Sequence, residues 1–236
     1  MIERFYEHNR LLTAALSNAI SEDLSQQLVA THKASIAVSG GNTPKALYEQ
    51  LSTVALDWPK ISVTLTDERW VDTNHPDSNE GMVRRHLLKH NAVSASFLSL
   101  KTRHTTAKEG ALVLSKMLKD QLPSVDFVLL GMGSDGHFAS LFPHTESLVK
   151  GLDKGDLTRC IDTFAPVEPK QRISLTLSML LTAKKIYLLI TGDDKLSVYR
   201  RACLNDQINH TSTLPIAAVL NQTEVPVEVF WSPSES

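Results

Sequence analysis

Two hydrophobic periods alternate along this chain from end to end, one of about 3.6 residues and one of short continuous apolar runs. Residues 9–31 carry the spacing of a long amphipathic helix, and SIAVSGG from Ser35 is a short buried strand that runs into glycines. Thr43 is then expected to cap a helix with Pro44 at its first position, where proline's missing N–H is harmless. Residues 60–66 predict a second strand with charges at its carboxyl end, and 77–88 a helix with Asp77 and Glu80 in its first turn. FLSLK reads as a third strand, 105–122 as a helix and 125–130 as a strand. A looser region to about Pro169 follows, with RCIDTF as its one candidate strand. Beyond it the pattern predicts a helix over 175–183, a strand at KKIYLLITG, helices over 193–203 and 214–220, and a last strand at VPVEVFW.

Strands separated by helices imply right-handed crossovers and a mainly parallel sheet with helices on both faces. The fold class expected is therefore α/β. No repeat, low-complexity tract or Gly/Ser linker divides the chain, so 1–236 is expected to be one domain.

Composition narrows the function without naming it. The 42% hydrophobic and 21% charged residues are ordinary globular values. A net charge of −2 argues against a nucleic-acid binder, and the pairs Arg84–Arg85, Lys184–Lys185 and Arg200–Arg201 read as solvated faces. Cys160 and Cys203 form neither a disulfide framework nor a metal pair. The charged N-terminus lacks the shape of a secretory signal, and no apolar run reaches the ~20 residues a bilayer crossing needs. A cytoplasmic protein without membrane partners is expected. No exposed apolar seam stands out, which points to a monomer.

In parallel α/β sheets ligands bind beyond the carboxyl ends of the strands. This chain places there SGGNT (39–43), Asp67-Glu68-Arg69, Gly131 through His137, and TGDDK (191–195). The most informative stretch is DFVLLGMGSDGHFASLFP, 126–143. An apolar strand breaks into glycines, then delivers Asp135, Gly136 and His137 together. Gly131, Gly133 and Gly136 match a dinucleotide fingerprint, but Pro143 cuts the helix that such a site requires. Among nine histidines His137 has the strongest case as a general base, because a free imidazole titrates near pH ~6.5. Asp135 is placed to orient the ring. His75, His86 and His144 stay unassigned, as do the remaining five. No serine or cysteine nucleophile and no second metal-type ligand accompany it, so base-activated water is the simplest chemistry.

SGGNTP precedes a helix, so its N–H groups suit an anion, although a plain helix cap would look the same. Lys195 in TGDDK is a second anion candidate. Arg69 lies among acids and reads equally as an ion pair or a ligand, with Asp67 as its partner or as a base in its own right. Arg172, just before the helix expected from 175, reads as a surface arginine or an anion ligand.

Taken in series, SGGNTP, TDERWV, DSNEGM (77–82), GMGSDGHFASLFP, QRISLT and TGDDK resemble the bacterial type of the 6-phosphogluconolactonase family over nearly the full chain. The resemblance implies a Rossmann-like α/β domain and hydrolysis of 6-phospho-D-glucono-1,5-lactone, the second step of the pentose phosphate pathway, without metal or cofactor. It makes His137 the residue that activates water and Asp135 its partner. Gly40, Gly41 and Thr43 become the phosphate-side loop, and Arg69 and Arg172 hold the anionic substrate. Lys195 aligns better with the phosphate lysine of related deaminases. Asp67, Gly133 and Gly136 are accessory candidates. Phe138 stands where the family more often has threonine, and is expected to alter the pocket lining.

Two rivals remain at this point. The glucosamine-6-phosphate deaminases share the same loops but carry a carboxylate soon after D-G-H; here FASLFP has none before Glu146. Sugar-phosphate sensors carry a fused DNA-binding helix-turn-helix, for which this chain is expected to have neither room nor a basic segment.

Overall fold

The computed structural model describes residues 1–204 and 213–234. Seven strands form one sheet: β1 (Ile2–Phe5), β2 (Ala34–Val38), β3 (Ile61–Leu65), β5 (Ser96–Leu98), β6 (Phe127–Leu130), β9 (Lys185–Thr191) and β10 (Val227–Ser232). Their order is β1-β10-β9-β6-β2-β3-β5, and every neighbouring pair is parallel. The central strands β2, β6 and β9 are nearly all apolar because helices bury them from both sides.

The helices are α1 (Asn9–Thr31), α2 (Lys45–Ser52), α3 (Asn79–His86), α4 (Ala107–Gln121), α5 (Glu146–Leu152), α6 (Leu177–Leu180), α7 (Asp193–Cys203) and α8 (Ala217–Leu220). In α1 the buried Leu12, Leu16, Ile20 and Leu24 repeat every fourth residue. Thr106 and Glu109 close a capping box on α4. From β1 to β5 the chain steps one way across the sheet; from β6 it steps back towards β10. Right-handed crossovers therefore put α1, α2 and α3 on one face and α4, α7 and α8 on the other. The reversal falls between β2 and β6, and the loops that leave those two strands diverge to open a crevice.

Several sequence expectations need correction. A second, antiparallel sheet of order β4-β8-β7 is made of β4 (Asp67–Arg69), β7 (Cys160–Phe164) and β8 (Gln171–Leu175). Arg172 thus sits inside a strand rather than before a helix. The helix expected over 175–183 shrinks to the single turn of α6, because Leu175 is committed to β8 and its N–H donates to the Thr66 carbonyl. Thr43 does not cap α2: the N-cap is Pro44, with no side-chain hydrogen bond, and Thr43 turns to the crevice. The α3 helix begins after Ser78, which accepts the Gly81 N–H, so Asp77 lies outside its first turn. Strand β1 has no counterpart among the sequence expectations. Among the described residues no helix is long and apolar enough to cross a membrane.

Candidate active site

A cavity of about 460 Å³ opens at the switch point. Its walls are the β2–α2 loop (Ser39, Gly40, Gly41, Asn42, Thr43, Pro44), the glycine loop after β6 (Gly131, Met132, Gly133, His137), Asp67 and Arg69 of β4, and Arg172 of β8. Ala139, Ser140 and Phe142 continue the wall beyond His137, and Val167 and Lys195 complete the rim.

His137 is held from three directions. Its Nδ1 is 2.6 Å from Asp135 Oδ1, and its main-chain N–H donates to the same oxygen at 3.1 Å. Its carbonyl accepts the Gly133 N–H at 2.9 Å, and its ring leans on Phe142 with centroids 4.4 Å apart. Gly133 is required by close approach: a Cβ there would fall 2.2 Å from His137 Nδ1 and 2.5 Å from Asp135 Oδ1. Gly136 turns the loop at φ +79°, and its carbonyl accepts the Ile216 N–H. Asp135 stands behind the imidazole, outside the cavity. Burial pushes its carboxyl up, but the hydrogen bonds and charge of His137 more than offset this and hold it below the ordinary carboxylate range.

Arg69 and Arg172 face each other across the antiparallel register of β4 and β8. Two guanidinium groups placed so repel one another. Neither forms an ion pair among the described residues: Arg69 Nη1 donates to the Asp77 carbonyl at 2.5 Å, and Arg172 Nε to the Pro169 carbonyl at 2.7 Å. Arg69 Nε has no partner. Burial, then the adjacent Arg69, push Arg172 below the usual guanidinium range. Lys195, in the first turn of α7, is likewise pushed down by burial. Among the described residues these three cations have no carboxylate within ion-pair distance, and together they give one cavity a charge that suits an anion.

The acids of DERW do other work than ion pairing with Arg69. Asp67 accepts from Ser140 Oγ at 2.6 Å and from Thr66 Oγ1 at 3.2 Å, which ties β4 to the segment after His137. Glu68 is buried and accepts the N–H groups of Arg69, Asn79 and Glu80 as well as the Ser78 hydroxyl, anchoring the start of α3. Glu68→Ala would leave these donors unpaired, so a loss of about 2–3 kcal/mol is expected in urea unfolding. An unchanged midpoint would contradict that anchoring role.

The structure brings together Gly40, Gly41, Thr43, Arg69, Arg172, Lys195, Asp67, Gly133 and His137, with Asp135 and Gly136 directly behind. Phe138 does not reach the lining. It is fully buried and bridges to Leu141, so its departure from threonine is a core feature. Sequence reasoning missed Asn79, Ser140, Phe142 and Val167. Asn79 does lie inside DSNEGM, and Ser140 inside GMGSDGHFASLFP; nothing in the sequence pattern marks Val167.

A parallel α/β sheet with a glycine loop, facing arginines and an aspartate-held histidine at its switch point defines a Rossmann-like α/β protein with a polar, cation-lined cavity. The chain is a member of the family described as glucosamine-6-phosphate isomerases/6-phosphogluconolactonase, whose model matches residues 7–231. A 6-phosphogluconolactonase of Pseudomonas putida is 38% identical over 224 residues, 95% of this chain and 90% of the relative. The Pseudomonas aeruginosa 6-phosphogluconolactonase is 37% identical over 227 residues, 96% of this chain and 91% of its own. Among solved structures, a 6-phosphogluconolactonase from Shewanella baltica superposes with a TM-score of 0.92 at 39% identity, covering 98% of this chain and 97% of that one.

Proposed function

We propose that this protein is a cytoplasmic lactone hydrolase, one α/β unit that converts 6-phospho-D-glucono-1,5-lactone to 6-phosphogluconate in the oxidative pentose phosphate pathway. The observation that carries the reading is the His137 imidazole. It is pinned at Nδ1 by Asp135 on a cavity whose other walls present unpaired cations.

With Nδ1–H donated to the Asp135 carboxylate, Nε2 is the basic nitrogen. It takes a proton from water, whose oxygen attacks C1 of the lactone. The negative charge that develops on the carbonyl oxygen needs a donor. The N–H groups of Gly133 and Gly136 already donate within their loop, which favours the Arg69 guanidinium for this task. As the C1–ring oxygen bond breaks, Nε2 returns its proton to the leaving oxygen, giving the open acid. The β2–α2 loop, with Arg172 and Lys195, holds the remote phosphate, whose binding energy orients the ring.

The deaminase alternative needs a second carboxylate at the reacting centre. Asp67 is the one carboxylate on the cavity wall among the described residues, and Ser140 and Thr66 already occupy it. Glu146 opens α5, away from the cavity. The test is the rate of loss of freshly made lactone between about pH 5.5 and 7.5, with the spontaneous rate subtracted. Acceleration that grows as a histidine-type group deprotonates is expected. No acceleration, with turnover of glucosamine 6-phosphate instead, would replace the lactonase reading with the deaminase one.

A further inference from the structure

We propose that Asn79 is a positioning residue: its carboxamide fixes the gap between the β2–α2 anion loop and the arginine-bearing β4, and so sets affinity for the phosphorylated substrate. This rests on the lactonase reading of the same cavity.

Asn79 is buried at the first position of α3, with its main-chain N–H on Glu68 Oε1 at 2.8 Å. Its Nδ2 donates to the Asp67 carbonyl at 2.8 Å. That bond fixes which way the amide points, because the opposite assignment would set oxygen against oxygen. The other end of the carboxamide meets Gly40. A Cβ on Gly40 would lie 1.9 Å from Asn79 Oδ1, and the three atoms nearest to it all belong to this carboxamide. A rigid planar group therefore spans from β4 to the loop, one end hydrogen-bonded and the other in contact with a residue that has no side chain.

Asn79 Oδ1 has no hydrogen-bond partner, although it is buried. Buried polar atoms are normally paired, and a spacer with no further task would be better apolar. The acceptor is placed where the anion loop, the cavity and β4 converge. Its partner arrives with the occupied site, when loop and ligand settle together. Asn79 then acts through the loop on substrate binding and takes no part in proton transfer.

The experiment is a double-mutant cycle on lactone hydrolysis and on calorimetric binding of inorganic phosphate, using Asn79→Ala, Gly40→Ala and the pair. Asn79→Ala is expected to raise KM about tenfold while kcat stays within about threefold. Gly40→Ala is expected to raise KM about 30-fold in the wild-type background, but less than about threefold in the Asn79→Ala background, where the clashing atoms are gone. Phosphate affinities should follow the same order. Additive effects, an unchanged KM in Asn79→Ala, or a loss confined to kcat would overturn the proposal. If Asn79→Ala does not fold, Asn79→Ser carries the same comparison. Absence of lactone turnover in the wild-type protein would instead defeat the lactonase reading and leaves the phosphate titration to judge Asn79.

Discussion

Replacing His137 with alanine is expected to cut kcat for lactone hydrolysis by at least about 10²-fold while KM changes little. The imidazole is half-buried against Phe142, and its Nδ1 is taken up by Asp135, so the single free nitrogen carries the chemistry. His137→Asn separates that role from simple packing. Its amide N–H can still donate towards Asp135, but no basic nitrogen remains. It should therefore be as slow as the alanine variant, and added imidazole should restore part of the rate in alanine only. A purified, folded His137→Ala protein with near-normal turnover would remove the residue from proton transfer. Asp135 contributes a pH dependence to stability at acid pH and none to the rate near neutrality. Its folded-state carboxyl lies below the ordinary range, so the stabilisation it provides is present above the unfolded pKa and is lost as pH falls through the folded one. Across neutral pH it stays ionised, and a single deprotonation should govern kcat/KM on the acid limb. Asp135→Asn should lower kcat without abolishing it, since it disturbs the tautomer and leaves Nε2 in place.

Much of this site was legible in the sequence because parallel sheets concentrate chemistry at strand ends. The runs that became β2, β6 and β9 are nearly all apolar, since both of their faces are covered, and glycines follow where each ends. The strand ends and the loops after them gave Gly40, Gly41, His137 and Lys195. What stayed hidden is tertiary. Strand β4 is three residues long and wholly charged, Asp67-Glu68-Arg69, so no periodicity betrays it; it exists because β8 pairs with it. For the same reason Arg172 resembles a surface residue until its strand is known. The stretch after QRIS has helix-forming composition, yet pairing with Cys160 of β7 claims Leu175 and leaves a single turn. Ser140 reaches Asp67 across 73 positions of sequence, a separation no local pattern encodes. At the tight turn after Gly136, successive residues face opposite ways, His137 to the cavity and Phe138 to the core. A motif comparison cannot distinguish those two directions.

Removing the Arg172 guanidinium is expected to raise KM for the lactone by about 10²-fold, the size expected when one charge-assisted hydrogen bond to an anion is removed. Arg172→Met is the informative variant, because methionine fills the buried strand position without charge. The arginine faces a like charge at Arg69, is largely withdrawn from water, and among the described residues hydrogen-bonds the Pro169 carbonyl alone. Burial and the like charge of Arg69 outweigh the attraction of Asp67, Glu68 and Asp77, and a bound anion would offset that imbalance. The ligand-free Arg172→Met protein should therefore melt no lower than wild type, while inorganic phosphate should stabilise it much less. A residue kept for folding would show the reverse: a lower melting temperature and an undiminished response to phosphate. Arg172→Lys adds a further distinction, since it retains the charge but loses the planar fork. KM between the wild-type and methionine values would mean that charge alone accounts for part of the affinity. KM equal to that of methionine would mean that the fork geometry of the guanidinium carries it.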